Sequence, residues 1–254
     1  MASCFESVSW QPRTVRLDPV RRVVFPAPAP VAFEPLAPAR LVHWAGGAML
    51  HADVGSDVTV LHFHGNGDDL RSCQPLVADV AGRGVSIAVV EYPGYGVLAD
   101  QRASSVSLLA AARAAARRFP GRVVLSGFSL GTAVATALAA DGFGERLVLT
   151  APFSSSRDLA RDLRLRAFWP MLRDRFDSAA LAAQITIPVL VQHGDQDRVL
   201  PFAQGQRLAE LLPDATFRPL PGRGHGGLDP IIADAVVRAA THQDPSWREI
   251  PGES

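Results

Sequence analysis

Five short segments hold most of the side chains in this sequence that could do chemistry. They are His64-Gly65-Asn66-Gly67, Glu91-Tyr92-Pro93-Gly94-Tyr95-Gly96, Gly127-Phe128-Ser129-Leu130-Gly131, His193-Gly194-Asp195-Gln196-Asp197-Arg198-Val199 and Gly222-Arg223-Gly224-His225-Gly226-Gly227. A serine hydroxyl is a poor nucleophile at neutral pH and needs a base within hydrogen-bond reach; a histidine, with an ordinary pKa of about 6.5, can be that base. A carboxylate on the other ring nitrogen fixes the tautomer and stabilises the imidazolium that forms. Ser129, then Asp195 or Asp197, then His225 supply these groups in the chain order Ser, Asp, His. Gly-x-Ser-x-Gly between an apolar run and a stretch of small residues at helical density is a nucleophile elbow, a sharp strand-to-helix turn that exposes the serine. The oxyanion that develops during acyl transfer needs preorganised donors, and the backbone N–H groups of Leu130 and Asn66 are the candidates. Of the seven histidines, His225 alone lies between glycines after the last expected strand.

Composition excludes other chemistries. The 254 residues contain no lysine, so all 25 basic side chains are arginine, which rules out a phosphate-loop lysine, a Schiff-base lysine and a Ser-Lys dyad. A formal net charge of zero argues against a nucleic-acid partner. Cys4 and Cys73 are too few for a disulfide framework or a cysteine metal site and read as free thiols in a reducing compartment. His62-x-His64 followed by Asp68 has the spacing of a metal pair on one strand face, but Asp69 and Leu70 stand where a third ligand would be expected, so no metal is expected. No cofactor is expected either. His64 is expected to hold the loop around Asn66 by hydrogen bonding, His62 to be a core or interface residue, and Tyr92 and Tyr95 to pack the loop. Glu6, Trp10 and Pro12 interrupt what would be the apolar core of a signal peptide, and no apolar run reaches membrane-spanning length. The expectation is a cytoplasmic protein.

The elements that must position these groups follow from periodicity. Residues 1–40 are rich in Pro and Arg and read as an extended arm. Leu41 to Ala45 and Ala48 to Val54 flank Gly46-Gly47 and read as an antiparallel hairpin. From Val58 onward, apolar runs alternate with helical stretches. Strands are expected at Val58 to Phe63, Val85 to Glu91, Val123 to Leu125, Arg146 to Thr150, Ile187 to Gln192 and Ala215 to Leu220. Helices are expected at Leu70 to Gly82, Ser104 to Phe119, after Ser129, at Pro201 to Leu212 and at Asp229 to Ala240. That alternation predicts an α/β fold with a mostly parallel sheet flanked by helices, in one domain over 41–240 with a tail over 241–254. Ligands bind beyond the carboxyl ends of the strands in such sheets, and all five segments lie there. Residues 152–184 break the alternation. They read as a short cap, with Phe168, Trp169 and Met171 as candidate lining of an apolar substrate pocket, or as a salt-bridged surface helix through Asp158 with Arg161 and Asp162 with Arg166.

Taken together, these motifs over roughly Leu41 to Ala240 resemble the α/β-hydrolase superfamily, in its short-capped abhydrolase-domain branch of bacterial esterases and eukaryotic protein depalmitoylases. The resemblance extends to Phe176-Asp177-Ser178 ahead of Ile187-Pro188-Val189. It implies that Ser129 is the nucleophile and His225 the base. It also places the acid four residues after His193, at Asp197, and the oxyanion hole at the amides of Asn66 and Leu130. The implied activity is hydrolysis of a carboxylic ester or thioester of a small or acyl substrate through an acyl-enzyme, without cofactor. The arm has no counterpart in the resemblance, and it lacks the cysteine cluster through which the depalmitoylases are membrane-anchored. The same groups serve peptidases and amidases, and a binding protein could keep the fold without turnover. Amide substrates separate the first alternative, and covalent labelling of Ser129 the second.

Overall fold

The computed structural model describes residues 24–163, 174–242 and 244–249. Eight strands form one sheet in the order β1-β2-β4-β3-β5-β6-β7-β8. They are β1 (Arg40–Trp44), β2 (Gly47–Ala52), β3 (Val58–Phe63), β4 (Ser86–Val90), β5 (Arg122–Phe128), β6 (Arg146–Thr150), β7 (Val189–Gly194) and β8 (Ala215–Leu220). β2 runs antiparallel to β1 and β4, and every pairing from β4 through β8 is parallel. This is the mostly parallel sheet with an antiparallel start that the sequence predicts.

Alternate residues of the central strands feed two separate cores, as a period of two requires. Leu61, Leu125, Leu147 and Val191 face one side, where they meet helices α2 (Ser105–Ala116) and α3 (Leu130–Ala140). Val60, Val124, Val148 and Leu190 face the other, against α1 (Gln74–Gly82) and α7 (Asp229–Thr241). Each such side chain contributes about 1.5–3 kcal/mol when fully buried. The other helices are α4 (Ser156–Asp162), α5 (Ser178–Leu181) and α6 (Phe202–Leu211).

Boundaries differ from the expectation where side chains compete with the backbone. The first helix starts at Gln74 rather than Leu70, because Asp69 and Ser72 bond each other's backbone in a tight turn and Pro75 occupies the helix's first turn. Ser104 is the cap rather than the first residue of α2, its hydroxyl accepting from the Ser107 N–H. The hairpin turn is Ala45-Gly46, not Gly46-Gly47. Trp44 pairs with Gly47, Gly46 takes the left-handed φ of 81°, and the Trp44 ring covers Gly47 so closely that no Cβ would fit. β7 extends past Gln192 through His193 and Gly194.

The C-terminal segment is also built into the domain. A short 3₁₀ turn at Pro245–Arg248 buries Trp247, whose ring lies under the guanidinium groups of Arg146 and Arg248. At the base of the insertion Ser155 bridges Asp177, and Ser156 and Phe176 exchange two hydrogen bonds. α4 is salt-bridged at the surface: Arg161 contacts Asp158 at 2.8 Å and Asp162 at 3.2 Å. Asp162 also reaches Arg207 of α6 at 3.3 Å. Phe168, Trp169 and Met171, and Arg166 with them, lie outside the described residues. No helix among the described residues is long and apolar enough to cross a membrane.

The chain places β4 on one side of β3 and β5 on the other, so the strand order reverses between β3 and β5. The loop after β3 and the turn after β5 therefore meet at the carboxyl edge, where open α/β sheets bind ligands. The approach is tight. A Cβ on Gly131 would lie 1.9 Å from the Phe63 carbonyl oxygen and 2.8 Å from that of His64, and one on Gly127 would lie 2.4 Å from the Gly131 oxygen. Both glycines of the Gly-x-Ser-x-Gly motif are thus required by contact with backbone, which cannot yield as a flexible side chain can. Gly131→Ala is expected to destabilise the fold by about 3 kcal/mol, read from the urea midpoint; an unchanged midpoint would show that the loop after β3 is free to move.

Candidate active site

Ser129 links β5 directly to α3. It has φ 51° and ψ −115°, a backbone conformation uncommon for a residue with a side chain, held by its N–H donating to the Thr150 carbonyl at 3.0 Å. Its own carbonyl accepts from the Thr132 N–H at 3.1 Å. The turn projects the hydroxyl away from the sheet, and His225 Nε2 lies 3.0 Å from Ser129 Oγ. His225 Nδ1 lies 2.7 Å from Asp197 Oδ2. A carboxylate oxygen can only accept, so Nδ1 carries a hydrogen, and in the neutral ring Nε2 then presents its lone pair to the serine hydroxyl.

Asp197 is more fully bonded than a lone carboxylate partner of a histidine. Its Oδ1 accepts from the Val199 and Leu200 N–H groups, each at 2.8 Å, and Oδ2 also receives His193 Nε2 at 3.3 Å. His193 Nε2 faces acceptors on both sides, with the Leu200 carbonyl at 3.1 Å, so it too carries hydrogen. Burial alone would raise the Asp197 pKa; the hydrogen bonds from His193, His225 and the Leu200 N–H outweigh it and hold the carboxyl well below its ordinary range. Asp195 has a different job, accepting the Gly222 N–H at 2.8 Å and so tying the loop after β8 to the end of β7.

Of the residues singled out in the sequence, the structure brings Ser129, Asp197 and His225 into one hydrogen-bonded chain. Leu130, as the first residue of α3, has a backbone N–H that no intrahelical carbonyl can accept. Asn66 lies in the loop after β3 that Gly131 packs against. Its side chain is otherwise engaged: Nδ2 donates to the Val24 carbonyl at 2.8 Å, and Oδ1 accepts from the Tyr95 hydroxyl. The arm therefore reaches the loop beside Ser129, with Phe25 buried in the core, a contact that no pattern in the sequence announces. Tyr92 is fully buried and donates to the His64 carbonyl at 2.9 Å. His62, also buried, shares a hydrogen bond with Ser126 Oγ at 2.9 Å. Burial, with the neighbouring His64 charge, lowers its pKa to about 3, so it stays neutral.

Two contacts beside these residues escaped sequence reasoning. His193 was read as a landmark for Asp197 rather than as its second donor, although their separation of four across a strand end was visible. Glu91 stands in one of the five segments with no role assigned to it; the structure pairs it with His64 at 3.1 Å in the interior.

Comparison with known proteins finds relatives over most of the chain. The chain is 33% identical over 226 residues to the uncharacterized protein Rv2307c of Mycobacterium tuberculosis, covering 84% of this chain and 77% of that one. It is 29% identical over 198 residues to alpha/beta hydrolase domain-containing protein 17C of Xenopus tropicalis, covering 72% of this chain and 61% of the relative. Among solved structures, the monoacylglycerol lipase of Paleococcus ferrophilus superposes with a TM-score of 0.55 at 18% identity, over 72% of this chain and 93% of that one. At that identity the likeness is one of fold. No protein-family profile matches the chain.

Proposed function

Because the chain belongs to the α/β-hydrolase superfamily, we propose that it is a cytoplasmic serine hydrolase cleaving a carboxylic ester or thioester through an acyl-enzyme, with Ser129, His225 and Asp197 as its triad. The observation that carries this reading is the unbroken line from Ser129 Oγ through both nitrogens of His225 to Asp197, at 3.0 and 2.7 Å. In the first half-reaction, His225 Nε2 takes the hydroxyl proton as Oγ bonds to the substrate carbonyl carbon. The carbonyl oxygen becomes an oxyanion facing the N–H groups of Leu130 and Asn66. Collapse of that intermediate breaks the bond to the leaving alcohol or thiol, which takes the proton from His225. Water then repeats the sequence on the ester to Ser129, releasing the acid and restoring the hydroxyl. Asp197 stays ionised throughout, which its several donors favour. Oxyanion donors of this kind are each worth about 3 kcal/mol of barrier in other enzymes.

This reading is tested with the purified protein on p-nitrophenyl acetate and butyrate beside the matching p-nitroanilides. A burst of about one p-nitrophenol per chain followed by slower steady turnover of the esters is expected, with anilides turned over far more slowly. Comparable rates on anilides would move the assignment to an amidase. No turnover and no burst on any ester would leave the fold as a binding scaffold.

A further inference from the structure

We propose that His64 and Glu91 form a buried ion pair that aims the Asn66 backbone N–H at the substrate oxyanion, acting as positioning residues; the inference rests on the reading above that this N–H is an oxyanion donor. His64 is 1% exposed and Glu91 is fully buried. His64 Nδ1 lies 2.9 Å from the Gly65 carbonyl oxygen and Nε2 lies 3.1 Å from Glu91 Oε1. A carbonyl has no hydrogen to give, so Nδ1 must donate. The second oxygen of Glu91 accepts from the Val97 N–H at 3.3 Å; with Oε1 accepting as a carboxylate oxygen too, the ring carries hydrogen on both nitrogens. Desolvating two charges is costly, and this pair is buried at the start of the loop that carries Asn66.

The link to the oxyanion is covalent. The Gly65 carbonyl and the Asn66 N–H belong to one planar trans peptide and point in opposite directions. A charged donor fixed on the carbonyl therefore sets where the N–H points, and it polarises the amide so that the N–H becomes a stronger donor. The other bond to that carbonyl, from the Asp68 N–H at 3.3 Å, is longer and uncharged. The flanking groups are fixed separately: Tyr92 donates to the His64 carbonyl, and Tyr95 with Val24 holds the Asn66 side chain. What remains for His64 to fix is the peptide between them.

The surroundings are consistent with a charged ring. His62, two residues back on β3, is neutral; Asp68 and Asp69 lie in the following loop, Cys73 ahead of α1, and Glu91, Tyr92 and Tyr95 come from the segment after β4. Burial lowers the His64 pKa, but the hydrogen bond and charge of Glu91, the Gly65 carbonyl and the charge of Asp68 together raise it above the ordinary histidine value.

The test compares wild type, His64→Gln and Glu91→Gln on p-nitrophenyl butyrate, alongside inhibition by an alkylboronic acid, whose tetrahedral serine adduct places an oxygen at the oxyanion position. His64→Gln is expected to lower kcat about 100-fold with KM within about twofold, and to weaken boronate inhibition by a similar factor. Glu91→Gln, which can keep a neutral Nδ1–H on the Gly65 carbonyl, is expected to lower kcat about 10-fold, and it carries the test if His64→Gln fails to fold. Fluorophosphonate labelling to completion should still reach one adduct per chain in both variants, so that Ser129 and His225 are intact. Unchanged kcat and boronate inhibition in the folded variants would overturn the proposal. So would a loss matched by the fraction of chains that no longer label, since that is a folding defect alone. Absence of labelling in the wild type would instead overturn the serine-hydrolase reading.

Discussion

Ser129→Ala is expected to lower kcat for p-nitrophenyl butyrate by about 10⁶ while leaving the protein folded. In the proposed mechanism this hydroxyl forms the acyl-enzyme, and among the described residues its side chain makes one hydrogen bond, to His225. Alanine meets the same φ of 51°, so the strain of the elbow is unchanged and the helix that follows keeps its start. The thermal midpoint should therefore stay within a few degrees of wild type. His225→Ala is expected to be of similar severity, and the double variant no worse than either single one, because the residues act as a unit. Retention of wild-type turnover in Ser129→Ala would mean that the esterase activity belongs to another group.

Asp197→Asn should cost about 10⁴ in kcat, through proton placement rather than lost contact. Oδ1 of Asp197 accepts two backbone N–H groups, so an asparagine must put its own oxygen there. Its NH₂ then occupies the Oδ2 position, where His225 Nδ1 and His193 Nε2 both arrive as donors. The conflict is relieved if His225 moves its hydrogen to Nε2, and that tautomer cannot take a proton from Ser129. The same substitution should alter stability against pH. Because the folded Asp197 pKa is depressed, its stabilising contribution is complete above the unfolded value of about 3.9 and is lost as pH falls toward the folded one. Asp197→Asn should flatten the acid side of the stability profile over that range. Near-wild-type kcat in the variant, at any pH from 6 to 9, would show that the carboxylate does not set the tautomer.

The fold was legible because its signals are local and repeated. Each central strand is an apolar run such as Val58–Phe63, and the element order follows from the alternation that starts there. The meeting of Ser129, Asp197 and His225 was legible for the same reason, as each lies in a segment that follows a strand at one edge of the sheet. Boundaries were misread where local contacts overrode the pattern: Asp69 with Ser72 delays α1, and Trp44 pairs with Gly47, which leaves Ala45-Gly46 as the hairpin turn. The pairing of His64 with Glu91 and the reach of Val24 to Asn66 join residues 27 and 42 positions apart. Spacing carries no sign of such contacts, since they depend on β3 and β4 being neighbours and on the path of the arm. The cap expected over residues 152–184 would select substrate through side-chain placement that periodicity does not encode.

The central claim, that Ser129 is a nucleophile activated by His225 and Asp197, is tested most directly by intact-mass analysis and peptide mapping after treatment with a fluorophosphonate. The account predicts one adduct per chain, on the peptide containing Ser129, absent from Ser129→Ala and strongly slowed in Asp197→Asn. A wild-type chain that stays unmodified, or carries its adduct on another residue, would contradict it.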